Sequence, residues 1–202
     1  MLKVGITGLM GSGKTFISSQ FSKLGIPIYS SDERAKWVNN NIPQLKKEIV
    51  KEFGDVYVNG ELDKFKIRKI VFGDGSGEKL KILESICHPY VIDDFNRFCY
   101  EHKDSPFILA ESAILFESGF YKNMDKIIFV DAPYSIRLER TLKRDNITPE
   151  EYDSRMRGQM SPIDKKRLSD FIIDNSVMES RTGEVEKIFD ILVNTKNVRI
   201  FV

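Results

Sequence analysis

Gly8-Leu9-Met10-Gly11-Ser12-Gly13-Lys14-Thr15 fits the pattern of Gly, four free positions, Gly, Lys and Ser/Thr that lets a backbone cradle a polyphosphate. The glycines allow the chain to turn its N–H groups inward around the α/β-phosphates. Lys14 can reach the β/γ-phosphates, and the Thr15 hydroxyl can ligate Mg²⁺. The pattern has this meaning between a strand and a helix. Leu2-Lys3-Val4-Gly5-Ile6-Thr7 supplies an apolar, partly β-branched strand before it. After it, Phe16, Ile17, Phe21 and Leu24 fall at helical spacing, and Gly25 stands where a C′ glycine belongs. From average residue usage, a chance match in such a chain has a probability on the order of one per cent. Gly11, Ser12, Gly13, Lys14 and Thr15 are therefore read as the anion-binding residues.

Four further apolar runs read as strands: Ile26-Pro27-Ile28-Tyr29, Phe107-Ile108-Leu109-Ala110, Lys126 to Val130, and Phe171-Ile172-Ile173. They are nearly continuous rather than alternating, as strands covered on both faces are, and helical patterns lie between them. This predicts a doubly wound α/β fold, three layers deep, with five parallel strands.

A chain of 202 residues is long enough for one sizeable core and short for two, so a single unit with appendages is expected. The nucleotide-binding core is expected at about 1–32, 106–134 and 168–202. A helical insert is expected at about 33–105. Within it, Pro43 opens a helix that Gly54 ends, Asp63 to Phe72 is a second that Gly73 ends, and a third from Glu78 is interrupted by Pro89. The insert reads either as a substrate-binding appendage or as a structural helical layer. A lid is expected at about 135–167, where Ser135 to Asp145 is rich in Arg and Lys. There Thr148-Pro149-Glu150-Glu151 combines an N-cap threonine, Pro at N1 and Glu at N3.

Thirty-one basic and thirty acidic residues leave a net charge of +1 and form no basic stripe, so no nucleic-acid partner is expected. Cys87 and Cys99 make neither a disulfide framework nor a close metal pair, which fits a cytoplasmic protein. No run has the length of a membrane span or the form of a secretory leader, so neither membrane attachment nor processing is expected.

In an open parallel sheet the carboxyl ends of the strands share one edge. Asp32 follows the second strand there and could accept the proton of an attacking hydroxyl or orient Mg²⁺. The competing reading is an acid beside a helix N-terminus. Glu111 and Asp131 end two further strands, and both compete for a water-mediated hold on Mg²⁺. Arg137, Arg140 and Arg144 share a helical face. They are either a solvated face, partly neutralised by Glu139, Asp145 and Glu151, or guanidinium groups closing over a migrating phosphate. His88-Pro89 is expected to shape a helix break near the substrate site, with the imidazole hydrogen-bonded there.

The chain resembles the dephospho-coenzyme A kinase family nearly end to end. The resemblance rests on Gly5-Ile6-Thr7-Gly8 entering the loop, Leu24-Gly25-Ile26-Pro27, and Asp32 in place of the family's second aspartate. It continues through Asn59-Gly60-Glu61-Leu62-Asp63 with Arg68 and Val71-Phe72, then His88-Pro89, Leu115-Phe116-Glu117 and Val130-Asp131-Ala132-Pro133. Arg140 to Asp145, Gln159-Met160 and Ile173-Asp174-Asn175-Ser176 complete it. The resemblance implies a P-loop kinase-like fold and ATP-dependent phosphorylation of the ribose 3′-hydroxyl of dephospho-CoA, the last step in making coenzyme A. The alternatives are a kinase of another small hydroxyl or nucleotide acceptor, or a nucleotide-dependent switch. It implies that Lys14 and Thr15 serve ATP and Mg²⁺, that Asp32 is the base, and that Arg140 and Arg144 close over the phosphates. By the same resemblance, Asn175 lies near the adenine; Thr15, with Glu111 as the strand-end candidate, is read for the metal, and Arg68 and His88 are read as candidates for the acceptor. A monomer or small homo-oligomer is expected.

Three departures stand out. Ser30-Ser31-Asp32 replaces Asp-Ala-Asp, Glu111-Ser112-Ala113-Ile114 stands where the family often has Asp-Val-Pro, and Ile92 occupies a commonly basic position. Arg68 or Arg97 is left to meet the phosphates of the acceptor.

Overall fold

The computed structural model describes residues 1–73, 75, 77–177 and 182–195, so parts of the expected core segment, at 178–181 and 196–202, lie outside the described residues. Strand β1 (Leu2–Thr7) leads through the glycine-rich loop to α1 (Lys14–Lys23) and β2 (Ile28–Ser30). Helices α2 (Ser31–Asn41) and α3 (Pro43–Phe53) follow, then strands β3 (Tyr57–Val58) and β4 (Glu61–Leu62), then helices α4 (Lys64–Phe72) and α5 (Glu78–Glu101). The chain continues with β5 (Phe107–Glu111), β6 (Lys126–Asp131), α6 (Tyr134–Asp145) and α7 (Pro149–Met156). It ends with α8 (Pro162–Arg167), β7 (Phe171–Asp174) and α9 (Thr182–Thr195). Two compact units result: one built from the residues up to Ser30 and from His102 onward, the other from Ser31–Glu101.

The first unit holds a five-stranded sheet in the order β2-β5-β1-β6-β7, every pair parallel. Side-chain alternation assigns the faces. Val4, Ile6, Phe107, Leu109, Ile128 and Val130 bury against Ile17 and Phe21 of α1 and Val185, Ile188 and Leu192 of α9. Each such residue contributes about 1.5–3 kcal/mol by leaving water. On the opposite face Gly5 leaves room for Leu115, which a Cβ there would strike at 2.7 Å. Leu115, Phe116 and Ile127 gather Phe120, Met124 and Met160 around them. Covering on both faces is why these strands read as unbroken apolar runs. Strand β2 begins at Ile28 rather than Ile26, because Pro27 has no N–H to give and offers only its carbonyl, to Leu109 N–H at 2.9 Å.

The second unit has its own core of Val38, Leu45, Ile49, Val56, Ile67 and Val71. Pro43 opens α3, Gly54 closes it, and the Asp63 side chain caps α4 by accepting from Phe65 and Lys66 N–H. One element the helical reading passes over is the antiparallel β3–β4 hairpin. Its turn is Asn59-Gly60, both at positive φ (51° and 83°), the conformation that an Asn-Gly hairpin turn needs.

The expected break at Pro89 is absent: α5 runs unbroken from Glu78 to Glu101 with Pro89 inside it. A proline there removes one ladder bond and crowds a carbonyl, which costs about 3 kcal/mol. Packing on both sides overrides this, since Leu80, Leu83, Ile86 and Cys87 before it and Tyr90 and Val91 after it all meet the same core. His88 and Pro89 are themselves exposed.

Candidate active site

The glycine-rich loop is shaped by close backbone approaches. Gly11 and Gly13 adopt φ of 84° and 88°, which L side chains avoid. A Cβ on Gly11 would run into the Arg137 carbonyl of α6, and one on Gly13 into Asn175 Nδ2. Ser12 N–H closes a turn on Leu9 O at 3.0 Å. Gly13 is the N-cap of α1 and provides no side-chain cap. The helix therefore opens with N–H groups that no side chain of the cap satisfies, at the positive end of its dipole.

Around this loop several polar atoms are buried without a hydrogen-bond partner among the described residues: Thr7 Oγ1, Ser12 Oγ, Asn175 Oδ1 and Arg140 Nη1. Arg140 Nη1 stands 3.8 Å from where a Cβ on Gly13 would lie. A buried guanidinium nitrogen with no acceptor is costly in a folded protein unless an anion joins it. Loop, helix end and guanidinium thus bring together groups that favour an anion.

Thr15 Oγ1 donates to Glu111 Oε1 at 2.6 Å. Glu111 lies beside Ile6 in the sheet register, so strand pairing itself carries the carboxylate to the loop. Hydroxyl and carboxylate oxygens are the hard donors that Mg²⁺ takes, and these two residues fit it. Asp131, the other strand-end acid, is instead engaged by Lys166 Nζ of α8 at 2.5 Å. Asn175 is buried, gives its side-chain N–H to Ser12 O at 2.8 Å and its backbone N–H to Asp131 O at 2.7 Å.

The arginines expected on one face divide. Arg137 is buried, donating from Nε to Ala132 O at 3.0 Å, and so braces α6 internally. Arg140 turns to the loop. Arg144 makes a two-pronged pair with Asp145 at 2.7 and 2.9 Å, and that bond is the main reason its pKa rises and the Asp145 carboxyl falls. The capping box at Thr148 is present in both directions, with Thr148 N–H to Glu151 at 3.0 Å and Glu151 N–H to Thr148 at 3.3 Å.

In the second unit, Asp32 lies in the first turn of α2, Arg68 on α4 and His88 on α5, and all three are exposed. Arg97 pairs with Asp93 at 3.4 Å on the same helix. Two features have little sequence signal. Asp94 is buried and held by Arg34, whose guanidinium lies 4.6 Å from the Trp37 ring centre, fastening α2 to α5. Lys165 is fully buried, donating to Ala113 O at 2.8 Å and pairing with Glu117 at 2.9 Å. Burial pushes its pKa down and Glu117 partly restores it. A lysine four places into a Ser-Pro-capped helix looks like a surface residue, and only its partners 48 and 52 residues away reveal otherwise.

Among known proteins, the family model described as dephospho-CoA kinase matches residues 2–180. A dephospho-CoA kinase of Porphyromonas gingivalis is 41% identical over 160 residues, covering 79% of this chain and 78% of the relative. One from Aquifex aeolicus is 32% identical over 193 residues, 94% of this chain and 97% of the relative. Among solved structures, dephospho-CoA kinase from Campylobacter jejuni superposes with a TM-score of 0.69 at 23% identity, covering 96% of this chain and 98% of that one, a likeness of fold.

Proposed function

The chain belongs to the dephospho-CoA kinase family and so transfers a phosphoryl group from ATP to dephospho-CoA, and we propose the following division of labour among its residues. The reaction is an in-line displacement at the γ-phosphorus. The ribose 3′-oxygen of dephospho-CoA forms the new P–O bond, the bond to the bridging oxygen of ADP breaks, and the hydroxyl proton passes to a base. The loop N–H groups hold the α- and β-phosphates, and Lys14 reaches the β- and γ-phosphates. Arg140 meets the charge that spreads over the transferring group, where a fixed donor in a water-poor site acts most strongly. Thr15 and Glu111 would hold Mg²⁺, which when bound neutralises charge on the phosphate oxygens. Asp32 is the base, a role supported by its place two residues after β2 and by its match to the family's aspartate. Arg68 and His88 serve the acceptor, and Asn175, through its hold on Ser12, keeps the loop in shape beside the nucleotide. Arg144 joins the phosphates by exchanging Asp145 for them. Free thiols at Cys87 and Cys99 agree with a reducing, cytoplasmic setting.

One observation carries this reading: Arg140 Nη1, buried and without a partner among the described residues, beside Gly13 and the open N-terminus of α1. Three groups that seek the same anion converge there. The test is ADP release from purified protein with MgATP and dephospho-CoA, the product identified by mass. Lys14→Ala should abolish CoA formation. Asp32→Asn should lower kcat by about a hundredfold or more, as for a general base, with ATP affinity nearly retained. Wild-type turnover in Asp32→Asn would remove that residue from the chemistry, and ADP release with a different acceptor would reassign the substrate.

A further inference from the structure

Besides the hold of Asn175 on Ser12 O, the loop is gripped from outside at Met10. Its N–H donates to Gln159 Oε1 at 3.2 Å, and its C=O accepts from the Tyr152 hydroxyl at 3.2 Å. Tyr152 belongs to α7 and Gln159 to the turn before α8, so both grips come from the arginine-bearing segment and none from the strand that carries the loop.

Each grip is itself braced. Tyr152 is fully buried, edge-on to the Tyr134 ring with centres 5.7 Å apart. Its oxygen also accepts from Arg137 Nη1 at 2.7 Å, which leaves its proton directed to Met10. Gln159 gives its amide N–H to Ala113 O at 3.2 Å, the carbonyl that buried Lys165 also holds. That bond fixes which side of the amide faces Met10: oxygen toward the loop, nitrogen toward Ala113.

The two bonds orient the peptide planes of the loop. In a trans peptide the C=O and the following N–H point in opposite directions. Holding Met10 C=O toward Tyr152 therefore turns Gly11 N–H the other way, away from the Tyr152 hydroxyl. Gly11 has the φ freedom to let this plane rotate once the hold is lost. We propose that Tyr152 and Gln159 are positioning residues that present the Gly11 N–H to phosphate only while α7 and the following turn are seated, coupling this segment to ATP binding.

This inference rests on the reading that the loop binds the phosphates of ATP. The experiment titrates ATP alone, without acceptor, into wild-type protein, Tyr152→Phe, Gln159→Met and the double variant, with amide hydrogen exchange followed across 149–156. Loss of one hydrogen bond of this kind corresponds to about a fivefold change in affinity. Each single variant should raise the ATP Kd by about that factor, and the double variant by less than the product, since both act on the two peptide planes that meet at Met10. ATP should slow exchange in α7 of the wild type and do so less in either variant. Variants that melt earlier yet bind ATP with the wild-type Kd would overturn the proposal, leaving Tyr152 and Gln159 as packing residues. Multiplying effects in the double variant would equally overturn action through Met10. A wild-type chain that binds no ATP would instead overturn the reading beneath it.

Discussion

Arg140 Nη1 and the loop glycines are bound into one small electrostatic problem. A guanidinium nitrogen buried without an acceptor disfavours the fold, and truncating it should relieve that while removing charge from the transferring phosphate. Arg140→Ala is expected to lower kcat/KM about 10²–10³-fold with melting temperature unchanged or higher, measured by ADP release and thermal unfolding. Arg140→Lys should recover only part of the activity, since a point charge does not reproduce the planar fork. Activity lost in proportion to stability would mean that Arg140 is structural. At this scale the sequence is most legible where function is consecutive. Lys14 and Thr15 are read from eight adjacent residues, whereas the hold of Asn175 on Ser12 spans 163 positions. Two strand-end acids, Glu111 and Asp131, were equal candidates by position. Which one meets Thr15 follows from the strand register that sets Glu111 beside Ile6, and the pairing of Asp131 with Lys166 has no local signature.

Helix α8 adds an element whose ends are conventional and whose middle is not. Ser161 caps it, Pro162 opens it, and Lys165 carries a charge to full burial against Glu117 and Ala113 O. Because burial lowers the Lys165 pKa, the folded chain sheds this proton at a lower pH than the unfolded chain does. Between those two values the unfolded state binds more protons, so the contribution to stability rises with pH. Glu117→Gln removes the group that partly restores the pKa, and is expected to cost about 1–3 kcal/mol at neutral pH. The deficit should shrink as pH approaches the ordinary lysine range, where the variant can bury a neutral amine. Denaturant unfolding of both proteins at neutral and alkaline pH checks this, and a pH-independent deficit would deny the buried charge. Element identity was otherwise well signalled by punctuation: Pro43 with Gly54, Asp63 with Phe72, and the Thr148 box all stand where local chemistry puts them. Pro89 misled because a proline's local penalty is outweighed by packing contributed by residues on both sides of it. The Asn59-Gly60 hairpin was written in the turn dipeptide and lost among helical neighbours.

At the scale of the whole molecule, two compact units each own a hydrophobic core, one around Val4, Phe21 and Leu192, the other around Leu45, Ile49 and Ile67. Leu45 is fully buried in the second, and Leu45→Ala should destabilise that unit by about 2–5 kcal/mol. ATP affinity, read by equilibrium titration at low temperature, should stay within about twofold of wild type, because the loop and its anion-seeking groups belong to the first unit. Loss of ATP binding in parallel with stability would mean that the two cores do not act separately. The five-stranded α/β core was legible because its strands are unbroken apolar runs. The extent of the insert was less so, since its first helix starts at Ser31, directly after β2, without a loop to mark the passage.

The sheet order has a further consequence for how the protein behaves when crowded. Its most apolar strands, β1, β5 and β6, lie inside, and its two borders are β2 and β7, three and four residues long. A foreign strand seeking unpaired backbone finds too short a template to hold on to, so the molecule resists edge-to-edge aggregation through strand length alone.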